Sequence, residues 1–232
     1  MGFADALSHA GVRYLAASPE TMLAPGVPSG VAHVIASNEN HPAAMARGIT
    51  DDVMRTRYDA GDFGGFGPAA AFDVLDLDPL TIARAETAIK RLNDDVGRDA
   101  GAATIRGTLR EDARAIDGMV RAPDRTKDMP WIADRPAIAF YDTIASDGRL
   151  DAVLRSDARA ASDAVRSLVL AHRESGDFKP FGDADYSDAI GPTIHLPTSR
   201  AQIDPWASAG VVETDNAFYR DVDQGTMTRV LA

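Results

Sequence analysis

The sequence predicts an α/β fold, and three observations predict it. A helical stripe of Phe3, Leu7 and Ala10 ends at Gly11 and is followed at once by Val12 to Ala17. That short, nearly continuous apolar run suits a strand covered on both faces. Phe72 to Leu77 is a second such run, and it feeds directly into a long amphipathic helix. The chain has 232 residues, 45% apolar and 25% charged, which is ordinary for a globular protein and enough to bury a sizeable core.

Between these signals the chain is punctuated by glycine and proline. Pro25 to Gly30 breaks regular structure, and Val31 to Ile35 resumes a helix. Met45, Ile49 and Val53, four apart, predict a helix from about Ala43 to Tyr58. Gly61 to Pro68 is read as a linker rather than a phosphate cradle: its spacing is G-x-x-G-G-x-G, no strand leads into it and a proline follows. Asp78 is the expected N-cap of the next helix, with Pro79 at the first position, where its missing N–H costs nothing. Ile82, Ala85, Ile89, Leu92 and Val96 then recur at helical spacing, and Gly97 is the expected stop. A further helix carries Ile105, Leu109, Ala113, Ile116 and Val120. Ala122 to Pro136, rich in proline and charge, reads as a connection between a first stretch, 1–121, and a second, 137–232, that packs on the same core.

In the second stretch, Ile138 to Tyr141 reads as either a strand or a helix entry. Leu150, Leu154, Ala158, Ala161, Val165 and Leu168 predict one helix of about six turns, closed near Gly176. Phe178 to Asp188 is an acidic, aromatic loop. Ile190 to Leu196 alternates like a strand, with Pro192 marking an edge or a bulge. Thr214 to Leu231 is expected to be partly helical, anchored by Phe218, Tyr219, Val222, Val230 and Leu231. No internal repeat is evident.

Composition narrows the chemistry. Acids outnumber bases 35 to 24, a net charge of −11, which argues against nucleic acid and anionic membranes as partners. The excess is almost all aspartate, 29 Asp to 6 Glu, so an isolated Asp carries little information. There is no cysteine, which excludes disulfides, thiolate nucleophiles and thiolate metal sites from these residues. No apolar run reaches 18 residues, and Met1 to Ala6 lacks the basic and apolar regions of a signal peptide.

Candidate sites are few. None of the five histidines pairs with another at i, i+4. His172 is expected to be packed or half-buried on the stripe of its helix, and His195, between Ile194 and Leu196, to face away from them, as a surface imidazole ahead of one presented to a cleft. Asp183 to Asp188 invites a calcium-loop reading, but Asp188 stands where an EF-hand needs Gly and Ile194 where it needs Glu. Only a looser calcium site remains, and no other cofactor is expected. Asp73, Asp76 and Asp78 could supply a carboxylate pair, although a strand would put Asp73 on the face opposite the other two. No G-x-S-x-G elbow is present.

Several segments, in order, carry a family resemblance. These are the helix after Met1-Gly2-Phe3, then Tyr14-Leu15-Ala16-Ala17-Ser18-Pro19-Glu20, then Pro25-Gly26. Asp76-Leu77-Asp78 with its helix, and Tyr186 to Pro197 with its Gly191-Pro192-Thr193-Ile194-His195-Leu196-Pro197 strand, complete the set with the closing helix. Together they resemble the part of the clostripain family of cysteine peptidases that follows the nucleophile. Pro28, Ser29 and Val31 depart from the family's Gly, Trp and Tyr, and Pro19 replaces a commoner acidic residue.

The resemblance implies a partial caspase-like three-layer sandwich, a sheet flanked by helices, with a helical insertion and a C-terminal helix but without its N-terminal strands. It puts Met1 two positions after the family's cysteine and the base histidine further upstream, leaving an exposed sheet edge. It also implies an endopeptidase acting after basic residues, inactive as written, from a family that is mostly exported. Ser18 and Glu20 would line the substrate pocket, although Glu20 reads equally well as a solvated loop carboxylate. The partners implied are a peptide or protein ligand and the missing N-terminal half of the domain. Two other readings stand beside it: a non-catalytic pseudo-peptidase that binds without turnover, and a carboxylate- or calcium-dependent hydrolase.

Overall fold

The computed structural model describes residues 1–17, 30–59, 70–99, 103–120, 134–175, 190–198 and 217–231. Helix α1 (Gly2–His9) and strand β1 (Tyr14–Ala17) open the chain. Helices α2 (Gly30–Ser37) and α3 (Pro42–Val53) follow, and α3 widens into a π-helical turn, Met54–Asp59. Strand β2 (Ala70–Asp76) leads into α4 (Pro79–Asp99) and α5 (Ala103–Val120). β3 (Asp134–Pro136) ends the connection, and the second stretch holds α6 (Ala137–Ser146), α7 (Ala152–Arg166), β4 (Val169–Ser175) and β5 (Thr193–His195). Helices α8 (Ala217–Asp221) and α9 (Gln224–Leu231) close it.

The architecture is mixed α/β with a small antiparallel sheet. β2 lies between β1 and β4, pairing with each antiparallel, and β3 pairs with β5 in a separate ribbon. Alternation along β2 divides its two faces. Leu75, with Leu15 of β1 and Val169 of β4, joins the main apolar cluster with Ile82 and Ile89 of α4, Leu109 of α5, Phe140 of α6 and Leu154 of α7. Val74 points the other way and is fully buried on the side of α3, which packs on all three strands. Helices therefore cover both faces, and strands from both stretches share one sheet. On the outer edge of β1 no strand pairs among the described residues.

Three expectations are corrected. The helix from Leu150 does not run to Gly176. It begins at the Asp151 cap, ends at Arg166, and Val169–Ser175 is the strand that covers the second edge of β2. Leu168 continues the apolar stripe, but a short apolar run fits helix or strand alike, and here the unpaired backbone of β2 decides. Gly97 does not stop α4, which continues to Asp99. Its missing side chain serves packing, because a Cβ there would lie 3.0 Å from Thr226 Cγ2 of α9. His195 is not a surface imidazole: it ends β5, is 4% exposed, and its carbonyl accepts from Gln224 Nε2 of α9 at 3.2 Å. Ile138 to Tyr141, open between strand and helix, is helical.

Candidate functional site

The pocket residues expected from the family resemblance, Ser18 and Glu20, lie outside the described residues, as do Gly61 to Pro68 and the acidic loop Asp183 to Asp188. The three aspartates around β2 fall within them, and they separate. Arg13 takes two: its Nε lies 2.8 Å from Asp76 Oδ1 and its Nη1 2.6 Å from Asp78 Oδ1. The Arg13 hydrogen bond holds the Asp78 carboxyl below its usual range, and Asp78 Oδ2 also accepts from the Thr81 hydroxyl at 3.2 Å. These two carboxylates tie the residue before β1 to the segment that opens α4.

Asp73 takes another course. It stands directly opposite His172 in the β2–β4 register, so the two side chains share a face. His172 Nδ1 donates to Asp73 Oδ1 at 2.9 Å, and the Gly191 N–H donates to Oδ2 at 2.8 Å. The bond to Asp73 raises the His172 imidazole above its ordinary value, outweighing the opposite pull of burial. Burial in turn pushes the Asp73 carboxyl up, against the pull of His172 and the Gly191 amide. His172 Nε2 is buried without a hydrogen-bond partner, with Glu174 Oε2 3.8 Å away. An aspartate-oriented imidazole is the geometry of a general base. With Nε2 buried, the pair instead fastens two strands to the Gly191 turn.

A second cluster opens to solvent. A groove of about 590 Å³ lies where α5, the end of α6 and the Asp147–Asp151 connection meet, with Asp112, Asp142, Asp147 and Arg149 on its walls. Arg149 clamps Asp147 from Nη2 at 2.6 Å and Nε at 2.8 Å, and reaches Glu111 at 2.5 Å. Asp142 is held by the Ser162 hydroxyl at 2.5 Å and by Arg166 at 2.7 Å. Asp112 has only a 3.4 Å contact from Arg149 to Oδ1, and its Oδ2 is buried with no donor. Burial first, then Asp147, pushes the Asp112 carboxyl up to about 6, while the Arg149 hydrogen bond lowers Asp147. Two neighbouring carboxyls are thus driven apart in acidity, the pattern that separates an acid from a base.

Sequence reasoning missed Asp112, Asp147 and Arg149, although one signal was present. Asp112 lies three residues after Leu109 and four before Ile116, on the buried stripe of α5, where a charged side chain is out of place. Among the described residues no three carboxylates or imidazoles converge as a metal site. No family model, no curated protein and no solved structure matches the chain.

Proposed function

We propose that this chain is the part of a clostripain-like cysteine endopeptidase that follows the nucleophile, an α/β scaffold that shapes substrate binding and does not hydrolyse peptides by itself. The observation that carries this reading is the placement of the resembling segments. The α1–β1 unit, and β2 with α4, come in the order of the resembling segments, and β1 and β2 are sheet neighbours with the outer edge of β1 open among the described residues. A caspase-like sandwich would continue its sheet across that edge, bringing a thiolate and an imidazole to the turn where α1 begins. Ser18 and Glu20, just beyond the end of β1, would then stand beside the reacting bond. A carboxylate there could receive a guanidinium by paired hydrogen bonds.

The chemistry sets a condition. Acyl transfer through a thioester needs a sulfur nucleophile and a base beside it, and these residues hold no cysteine. The genomic sequence immediately upstream of Met1, translated in the same frame, tests the reading. An Asp-x-Cys-Leu ending there, with a histidine further back, supports an active enzyme of which this is one portion. A stop codon in that stretch favours the pseudo-peptidase, which keeps the scaffold for binding. An upstream frame of unrelated sequence contradicts the family reading.

A second reading has its own observation. The Asp112 and Asp147 carboxyls line one open groove and are driven apart in acidity, the pattern a carboxylate hydrolase would use. Hydrolysis that survives iodoacetamide and is lost in Asp147→Asn would favour it.

A further inference from the structure

The groove between α5, α6 and the Asp147–Asp151 connection contains a carboxylate that the fold leaves unsatisfied. The Asp112 side chain is 6% exposed, lines the groove, and has one oxygen, Oδ2, that is buried without a donor. The charges around it are already committed. Arg149 serves Asp147 and Glu111, Arg166 serves Asp142, and Arg159 on α7 donates to the Ala145 carbonyl at 3.5 Å. A buried acceptor without a donor costs free energy, and a charged one more so. The missing partner is therefore a donor, preferably a cationic one, small enough to enter a groove of about 590 Å³.

We propose that this groove is a binding site for an organic cation, an ammonium or guanidinium group whose N–H donors bridge Asp112 and Asp147. The lack of three converging ligands among the described residues sets a nitrogen cation ahead of a divalent metal. The hydroxyls of Thr143 and Ser146 line the same groove but donate to the carbonyls of Ala139 and Asp142, so their oxygens remain able to accept from the ligand. The groove is built from α5, α6 and the Asp147–Asp151 connection, segments on which the peptidase reading does not rest, and its occupation needs no turnover. Its failure and that of the peptidase reading are therefore independent.

A proton competes for the same place. When Asp112 is protonated it can itself donate to Asp147, filling the gap that the cation would fill. With its acidity set at about 6, lowering the pH from 7.5 to 5 should weaken cation binding by about tenfold, as the protonated fraction rises.

The experiment is a titration of the 232-residue chain with agmatine and, separately, with N-acetyl-arginine amide, followed through backbone amide resonances. Saturable shifts centred on Asp112, Asp147 and Gly148 are expected, weakened about tenfold at pH 5 and at least tenfold by Asp112→Asn. Gly148→Phe is an independent obstruction: Gly148 lines the groove and a Cβ there meets no atom within 4 Å, so a bulky side chain can be placed at the groove wall without overpacking. It should abolish the shifts while leaving the spectrum folded. Tighter binding of agmatine points to a free amine, and tighter binding of the amide to a peptide side chain. Absence of saturable shifts up to about 50 mM, or shifts indifferent to pH and to both variants, overturns the proposal.

Discussion

At the scale of single residues, the buried polar groups carry the clearest consequences. His172 has its acidity lowered by the Asp73 hydrogen bond, so its folded value lies above the ordinary 6.5. The sign follows: its stabilising contribution is complete below about 6.5 and disappears as the pH rises through the higher folded value. Asp73→Asn should bring the His172 titration, read from its ring protons by NMR, down to 6.5 or below, and cost about 1–3 kcal/mol at pH 6. An unchanged titration would show that the pair is not formed.

Asp112 runs in the opposite sense to a helpful carboxylate. Its folded value, about 6, exceeds the 3.8 of the free group, so folding favours its protonated form, and stability is lost as the pH rises through 6. Asp112→Asn should therefore stabilise the protein at pH 8, by up to about 3 kcal/mol, with the gain vanishing by pH 4. Thermal unfolding at the two pH values measures it. A position whose native side chain costs stability is where function is to be sought.

Two glycines make a matched pair at the same scale. Gly11 and Gly191 both have positive φ, +84° and +82°, but a Cβ at Gly11 meets nothing within 4 Å. At Gly191 it would lie 2.9 Å from Ile138 Cδ1 and 3.2 Å from Val169 Cγ2. Gly11→Ala should cost only the left-handed penalty, about 1 kcal/mol, and Gly191→Ala that penalty plus overpacking, about 2–4 kcal/mol. Equal losses in urea unfolding would contradict the tight seat assigned to Gly191.

At the scale of elements, legibility in the sequence followed the strength of local signals. α4 and α5 are readable because their apolar residues recur at helical spacing over about four turns each, and Ile82 to Val96 of α4 and Leu109 to Ile116 of α5 are buried as that spacing requires. β2 was readable from its apolar run, and α6 only as an ambiguity. α7 and β4 were fused, because Leu154 to Leu168 gives no periodicity break before the strand and no glycine or proline marks the turn at Ser167. Strand pairing is a long-range choice: β4 forms where β2, about 100 residues earlier, offers an unpaired edge. The start of α7 carries a local signal in Asp151. Asp151 accepts from the N–H groups of Val153 at 2.7 Å and Leu154 at 2.9 Å, a side-chain cap whose removal in Asp151→Ala should cost about 1 kcal/mol in thermal unfolding.

The same limit hid Arg135. In sequence it is one arginine of 21, within a charged connection. In the fold it is 1% exposed at the β3–β5 ribbon, and donates from Nε to the Ala113 carbonyl at 2.9 Å and from Nη1 to the Leu196 carbonyl. Its planar fork ties α5 to the end of β5, and a lysine cannot reproduce two directed donors at that spacing.

At the scale of the whole molecule, one apolar cluster runs from Met1 and Ala4 of the first helix's cap and body to Val230 and Leu231 of the last. Asn93 of α4 adds a polar tie, donating to the Val222 carbonyl at 2.7 Å in a buried setting. The two ends of the chain thus stabilise each other through α4, and the sheet is a small platform within a largely helical body. These residues hold no cysteine, so the proposed thiol-dependent peptidase would have to draw its nucleophile from another segment.

Amide hydrolysis by the purified 232 residues, with an arginyl chromogenic amide and with and without iodoacetamide, measures that deficit most directly. A chain of this composition should release product no faster than buffer, and should gain iodoacetamide-sensitive turnover only when joined to a segment carrying the cysteine and histidine. Turnover by these residues alone, untouched by the alkylating reagent, would contradict the thiol-dependent ancestry and move the search for the reacting groups to Asp112 and Asp147.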